Sequence, residues 1–122
     1  MANIGAWWLA SRPALAGEQV VTRWLANRAQ NGRAVGGALF LTTRRLVFCP
    51  HRLDQLTGGQ GWDVPLGEVA TVDVAPRTGH PFDGGLRDRL RVRSARGAQE
   101  LFVLNRLPHV VDAVRARLPR AQ

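Results

Sequence analysis

Residues 36–50, GGALFLTTRRLVFCP, place four polar side chains between two apolar runs. The apolar runs are rich in β-branched and aromatic residues, which favour half-buried strands. The polar centre, Thr42 to Arg45, is typical of the turn of a β-hairpin. We therefore expect strands at residues 34–42 and 46–50, with the four turn residues open to water.

Further strands flank this hairpin on both sides. The patterns that predict them lie at residues 19–27, 62–66, 69–75, 86–94 and 99–104. Asn31-Gly32 is the strongest turn signal between the first two strands, and Arg96-Gly97 is expected to form a two-residue turn between the last two. Residues 51–61 and 76–85 are rich in glycine or proline and indicate loops.

The tail changes to a helical period. Its apolar residues are Leu107, Val110, Val111, Val114 and Leu118, which share one face of an amphipathic helix. Asn105 is a suitable N-cap, and Pro108 is tolerated in the first turn. The sequence therefore predicts a mainly β domain: a small barrel or sandwich of about seven antiparallel strands capped by one C-terminal α-helix.

Composition narrows the function classes. The chain has 122 residues and a formal net charge of +8, and all 17 of its basic residues are arginines. The complete avoidance of lysine fits GC-rich coding, so the arginine count alone is weak evidence for an anionic partner. We expect no secretory signal, no membrane-spanning run and, with Cys49 alone, no internal disulfide, which together favour a cytoplasmic protein.

The hairpin resembles the central signature of GRAM domains. In that signature glycine and apolar residues lead to a threonine, a basic residue, an aliphatic residue and a phenylalanine, places that Thr42, Arg45, Leu46 and Phe48 fill here. The stretch at residues 15–18, LAGE, resembles the element that opens the domain. Residues 62–66, with Val69 and Val72, resemble the aliphatic stretch of its fourth and fifth strands.

The resemblance implies a pleckstrin-homology-like fold over residues 15–122, preceded by an N-terminal apolar segment, residues 1–14. It implies a non-catalytic module that binds membrane lipids or proteins. The first hairpin loop departs from the lipid-binding members, because it offers only Arg28 and Arg33. That departure weighs against specific phosphoinositide recognition.

The densest basic stretch is LRDRLRVR, residues 86–93. Alternation along a strand would place Arg87, Arg89, Arg91 and Arg93 on one face, where they could bind lipid phosphates or an acidic partner. The alternative is a solvated face with cross-strand partners. A turn at Arg96-Gly97 would set Arg93 opposite Glu100, as a salt bridge, and Arg91 opposite Phe102, as a cation–π contact.

Two further stretches are candidates. Arg44 or Arg45 could donate to a phosphate at the hairpin bend, although turn arginines are more often solvated or paired with a neighbouring acid. Trp7, Trp8 and Leu9 could enter a membrane interface or a protein interface. Alternatively, this segment folds back and covers a sheet edge or a barrel end.

The sequence offers no set of residues for catalysis or metal binding. Cys49 lies in an apolar strand, and His51, His80 and His109 have no partners at metal-ligand spacing. We expect no enzyme activity and no cofactor. The leading hypothesis is peripheral binding to anionic phospholipid at the inner membrane face, or an adaptor role. The alternative is a protein-interaction or homo-oligomerisation module that does not bind lipid.

Nucleic acid is the least favoured binding partner. The arginines are not interleaved with exposed aromatic residues, and Phe102 is the one candidate for base stacking.

Overall fold

The computed structural model describes residues 15–30, 33–51, 58–79 and 87–119. Seven strands precede one α-helix in these residues. The strands are β1 (Val20–Gln30), β2 (Arg33–Thr42), β3 (Arg45–Pro50), β4 (Trp62–Pro65), β5 (Val69–Ala75), β6 (Arg89–Ser94) and β7 (Gln99–Val103), and the helix is α1 (Leu107–Arg115). A 3₁₀ turn, Leu66–Glu68, joins β4 to β5. Within the described chain no helix has the length and apolar character needed to cross a membrane.

The strands form one antiparallel sheet in the order β4-β3-β2-β1-β7-β6-β5. The mainly β architecture with a C-terminal helix is therefore confirmed. The sheet is not closed into a barrel, because β4 and β5 lie at its two ends and do not pair. β1 connects the two halves: it pairs with β2 along most of its length and with β7 at Asn27 and Arg28.

The connection between β1 and β2 is shorter than predicted, because the strands were expected to end at residue 27 and to resume at residue 34. Arg28 and Arg33, expected in the loop, lie in β1 and β2. Gln30 pairs with Arg33, so only Asn31 and Gly32 separate the two strands, and these two residues lie outside the described part of the chain. The β2–β3 hairpin pairs Leu41 with Leu46 and Gly37 with Pro50. Both hairpins were predicted from turn chemistry between apolar runs.

The main core lies between the inner face of the sheet and α1. Val110, Val111 and Val114 bring the apolar stripe of the helix into this core, as the helical period predicted. Phe102 lies at its centre, with its ring centroid 5.7 Å from that of Phe48 and 5.4 Å from that of Trp62. The aromatic residues of β3, β4 and β7 thus fasten the two halves of the sheet together.

The outer face of β2 and β3 carries a second apolar cluster. Ala38, Phe40, Val47 and Cys49 form it, and each has at most 1% of its surface exposed. These residues alternate with core residues such as Leu39 and Phe48. The hairpin is therefore buried on both faces, which explains its nearly continuous apolar composition.

The β6–β7 hairpin corrects the predicted register. The Ser94 amide donates to the Ala98 carbonyl, so three residues, 95–97, form the turn in place of the predicted two, Arg96 and Gly97. The Ser94 hydroxyl accepts hydrogen bonds from the amides of Arg96 and Ala98. Arg93 consequently pairs with Gln99, and Arg91 pairs with Leu101.

A shift of one residue moves every side chain of the partner strand to the other face. Glu100 therefore faces the core side, where it binds Arg28 at 2.8 Å. Phe102 is fully buried, so it neither stacks on Arg91 nor offers an exposed ring to a nucleic-acid base. The predicted salt bridge and cation–π contact are both wrong.

The start of α1 also differs from the prediction. Arg106, not Asn105, is the N-cap, with a left-handed backbone (φ 57°) and no capping side-chain hydrogen bond. Asn105 instead accepts a hydrogen bond from Arg87 through its Oδ1. Near the helix end, Arg115 Nε donates to the carbonyl of Val72 on the edge strand β5, which satisfies one open acceptor of that edge.

Close packing of β2 against β3 predicts a severe effect of Gly37→Ala. A Cβ at this position would lie 2.2 Å from the Cys49 carbonyl oxygen, so the two strands would have to separate. We expect the free energy of unfolding to fall by about 1–3 kcal/mol. Urea denaturation measures it.

Gly67→Ala is the matched control, because a Cβ at Gly67 meets no atom within 4 Å. Its stability should equal that of the wild type or exceed it slightly. Equal stability of both variants would contradict the described packing of the hairpin.

Candidate functional site

The hairpin bend separates into two exposed and two buried residues. Thr43 and Arg44 are exposed, but Thr42 is 0% exposed and Arg45 only 5%. The expectation that water reaches all four residues is therefore wrong. The buried pair lies on the outer face of the sheet, at the end of the β2–β3 apolar cluster.

Arg45 forms an ion-paired network with two carboxylates. Its Nε and Nη2 atoms donate to the two oxygens of Glu18 at 2.8 and 3.0 Å, while Nη1 donates to Asp63 Oδ2 at 2.8 Å. The side chain of Glu18 is fully buried. This two-point geometry is the one in which a guanidinium binds a carboxylate most strongly.

The Thr42 hydroxyl links the network to the turn. It accepts hydrogen bonds from the amides of Arg44 and Arg45 and lies 2.6 Å from Glu18 Oε2, to which it donates. The Leu15 amide donates to the other Glu18 oxygen at 2.9 Å. The network thus ties the entry to β1 to the β2–β3 turn and, through Asp63, to β4.

The hydrogen bonds outweigh the cost of burying Glu18. Burial by itself would raise the pKa of this carboxyl, but donation from Arg45, Thr42 and the Leu15 amide holds the pKa below its ordinary value. The same pairing with Glu18 raises the pKa of Arg45. Both groups are consequently charged, and Arg45 is committed to internal partners and is not available to a phosphate.

Arg44 has a different environment. It is exposed, and its Nη2 donates to the carbonyl of Ala16 at 2.9 Å. It therefore links the hairpin bend to the turn at residues 15–18, a contact that the sequence did not predict.

The four arginines of residues 87–93 do not form a continuous ladder. Arg89 is 4% exposed and donates to the Pro76 carbonyl. Arg91 binds both oxygens of Asp73 at 2.8 Å, a pairing that lowers the pKa of Asp73 and raises that of Arg91. Only Arg93 remains an exposed residue of the strand, and it donates to Gln99 Oε1.

Arg87 precedes β6 and joins a different basic group. It lines a cleft of about 370 Å³ together with Arg77 and Arg106, at the start of α1. Asp88 also lines the cleft and binds Arg77 at 3.6 Å. Among the described lining residues, three guanidinium groups and one carboxylate give a net charge of +2. Val74, Leu107 and Pro108 supply its apolar wall.

A shallow groove adjoins the cleft through Arg87. It has a volume of about 300 Å³ and is lined by Leu25, Asn27, Gly36, His51 and Asn105, among others. Leu25 is 72% exposed, the most exposed large apolar side chain of the described residues. The groove combines an exposed aliphatic residue with the polar ends of neighbouring strands.

The histidines and the cysteine of the described residues do not come together as a metal site. No group of three histidine, cysteine, aspartate or glutamate side chains in the described ranges could hold a metal ion. Cys49 is fully buried and His51 is exposed, while His109 packs edge-on against Trp24. Trp7, Trp8, Leu9 and His80 lie outside the described residues.

Sequence reasoning missed the acids and two of the cleft arginines. Glu18 was noted only as part of the LAGE element, and its binding to Arg45 joins residues 27 positions apart. Arg77 lies in a loop and Arg106 is a helix N-cap. Neither belongs to a strand or helix whose residue spacing would predict which way its side chain faces. No signal in the sequence marks Glu18 and Asp63 among the nine acidic residues of the chain.

The Thr42 hydroxyl predicts a large difference between two conservative variants. Thr42→Val keeps the shape but leaves the buried Arg45 amide, the partly buried Arg44 amide and Glu18 without this partner, so we expect a loss of about 1–3 kcal/mol in the free energy of unfolding. Thr42→Ser keeps the hydroxyl and should lose less. Urea denaturation of both variants tests this, and equal losses would contradict the role of the hydroxyl.

The network also predicts how stability depends on pH. Because the folded-state pKa of Glu18 lies below its ordinary 4.5, its contribution is complete above pH 4.5 and is lost as pH falls through the folded-state pKa. The midpoint temperature of thermal unfolding, Tm, should stay level as pH is lowered from 7 and then fall as pH approaches 3. The Tm of Glu18→Gln should fall less over the same range, and a fall as large as that of the wild type would contradict the assignment.

The comparisons identify a fold and no family. No family model matches the chain, and no curated protein matches it. Among solved structures, the C-terminal domain of an unknown protein from Leishmania infantum matches with a TM-score of 0.72 and 16% identity. The match covers 94% of this chain and 97% of that one. At this identity the likeness extends to the fold alone.

Proposed function

We propose that this protein is a non-catalytic, pleckstrin-like binding module that receives the phosphate of an anionic membrane lipid in the Arg77–Arg87–Arg106 cleft. The observation that carries the proposal is the convergence of these three arginines on one cleft beside one acid. The ladder on β6 is not the basis of this proposal, because Arg89 and Arg91 serve internal partners.

The helix terminus strengthens the case for an anion. Arg106 is the N-cap of α1 and provides no side-chain hydrogen bond to the first turn. Pro108 has no amide proton and the Val110 amide donates to the Arg106 carbonyl, so Leu107 and His109 are the residues of the first turn whose amides can face an anion. The helix dipole favours negative charge at this end. A phosphate in the cleft would meet guanidinium groups and a positive helix end together.

The apolar wall of the cleft suits a membrane surface better than free phosphate. Val74 is 39% exposed and lies beside Leu107 and Pro108. Such side chains gain by contact with the acyl–headgroup boundary, while the arginines bind the headgroups. The resemblance of the hairpin to GRAM domains supports the same class of partner. The expected setting is the cytoplasmic face of a membrane.

A protein-interaction role is the second candidate, and exposed apolar residues of β1 favour it. Leu25 is 72% exposed and Val21 39% exposed, with the exposed Arg23 between them. This surface could bind another protein or a second copy of the chain. On that alternative, lipid has no part in binding.

Vesicle co-sedimentation across a salt series tests the proposal. Vesicles of phosphatidylcholine alone are compared with vesicles containing phosphatidylserine or a phosphoinositide, and the wild type is compared with a variant carrying Arg77→Gln, Arg87→Gln and Arg106→Gln. Each arginine near an anionic surface contributes about 1 kcal/mol, so the variant should bind about 100-fold more weakly.

A charge-matched control separates the cleft from net charge. Arg93, Arg96 and Arg117 are exposed arginines outside the cleft, and changing all three to Gln removes the same charge. The control should lose less than about tenfold in affinity. Equal losses in both variants, or no binding of the wild type at low salt, would overturn the cleft proposal. Self-association abolished by Leu25→Ser would then favour the second candidate.

A further inference from the structure

The outer face of the β2–β3 hairpin is an apolar surface that the chain itself covers. Ala38, Phe40, Val47 and Cys49 lie on this face, and the exposure of each is 0% or 1% in the isolated chain. No second molecule is present, so the groups that exclude water belong to the same polypeptide. Val20 packs on the cluster from β1.

The position of the cluster excludes α1 as its cover. The cluster side chains alternate with Leu39, Leu41 and Phe48, which face the main core and the helix. The cluster therefore points away from α1. A cover on this side has to be large and apolar, because it shields a phenylalanine, a valine and a cysteine completely.

The chain enters the described region beside this surface. The Leu15 amide binds Glu18, and Glu18 binds Arg45 and Thr42, which are the outer-face residues at one end of the cluster. The Ala16 carbonyl is bound by Arg44 of the same bend. Leu15, the first described residue, therefore lies at the edge of the outer face, next to the cluster.

The N-terminal segment has the length and the composition to cover the cluster. From Arg45 to Cys49 the strand runs about 13 Å, whereas fourteen residues span about 21 Å as a helix. The segment MANIGAWWLASRPA contains one charged side chain, Arg12, and two adjacent tryptophans. Each buried tryptophan can cover about 150–250 Å² of apolar surface.

We propose that residues 1–14 dock on the outer face of the β2–β3 hairpin and that Trp7 or Trp8 packs on Phe40 and Val47 and shields Cys49. On this proposal the tryptophans pack against the sheet of the same chain, so they are not available to insert into a membrane. The inference is independent of the proposed function, since it concerns neither the arginine cleft nor lipid.

The lone thiol provides a direct readout. Cys49 is the one cysteine of the chain and is 0% exposed, so it should react slowly with Ellman's reagent in the native wild type. Trp7→Ser with Trp8→Ser in the full chain should raise the reaction rate at least tenfold, with the circular dichroism of the sheet retained. Asn3→Ser with Arg12→Gln, two polar changes in the same segment, should leave the rate unchanged.

A native-state measurement keeps the inference testable if the tryptophan variant fails to fold. Nuclear Overhauser contacts from the indole protons of Trp7 or Trp8 to the Val47 methyl groups are expected in the wild-type chain. Their absence in an assigned spectrum would overturn the docking. So would a folded tryptophan variant whose Cys49 reacts as slowly as in the wild type.

Discussion

The buried ion pair between Arg45 and Glu18 is the constraint on which the rest of the hairpin depends. A guanidinium at 5% exposure is stable only where carboxylates and their hydrogen bonds replace water. Glu18 and Asp63 supply those carboxylates from the entry to β1 and from β4. One side chain thereby fixes three chain segments around the β2–β3 turn, and the Thr42 hydroxyl sets the geometry of the turn itself.

The arginines of this chain divide into structural and surface groups. Arg28, Arg45 and Arg91 bind acids, and Arg89 and Arg115 bind backbone carbonyls of neighbouring segments. These residues act as cross-links of the sheet. The surface group includes Arg77, Arg87 and Arg106, which line the cleft at the start of α1. Arg77 pairs there with Asp88, and Arg87 donates to Asn105 and to the Leu104 carbonyl. Net charge therefore says less about binding than the position of these three residues does.

Most of the fold follows from local patterns in the sequence. β5 was predicted with its observed bounds, and the β2–β3 hairpin and α1 follow from two apolar runs and one helical period. The register of β6 and β7 does not follow, because a turn of three residues in place of two shifts the pairing by one residue and reverses the faces of the partner strand. The burial of Arg45 does not follow either, since its acids lie 27 and 18 positions away in sequence.

The candidate site was less predictable than the fold. Alternation along residues 87–93 suggested one face of four arginines, but only the neighbours in space determine which of them bind acids or carbonyls. Arg77 and Arg106 lie in irregular backbone, where no period places them beside Arg87. The sequence does not predict a site that is formed by a loop, a strand end and a helix cap, because these segments become neighbours only in the folded sheet.

A double-mutant cycle on Glu18 and Arg45 tests the central constraint most directly. Urea denaturation is measured for the wild type, Glu18→Leu, Arg45→Met and the double variant. Glu18→Leu leaves Arg45 with Asp63 as its described carboxylate partner, and Arg45→Met leaves Glu18 without its cation and with the hydrogen bonds of Thr42 and the Leu15 amide. Each single change should therefore cost up to about 3–5 kcal/mol, whereas the apolar pair should cost far less than the sum. Single losses below about 1 kcal/mol that simply add would contradict the account, because the buried pair would then not hold the hairpin.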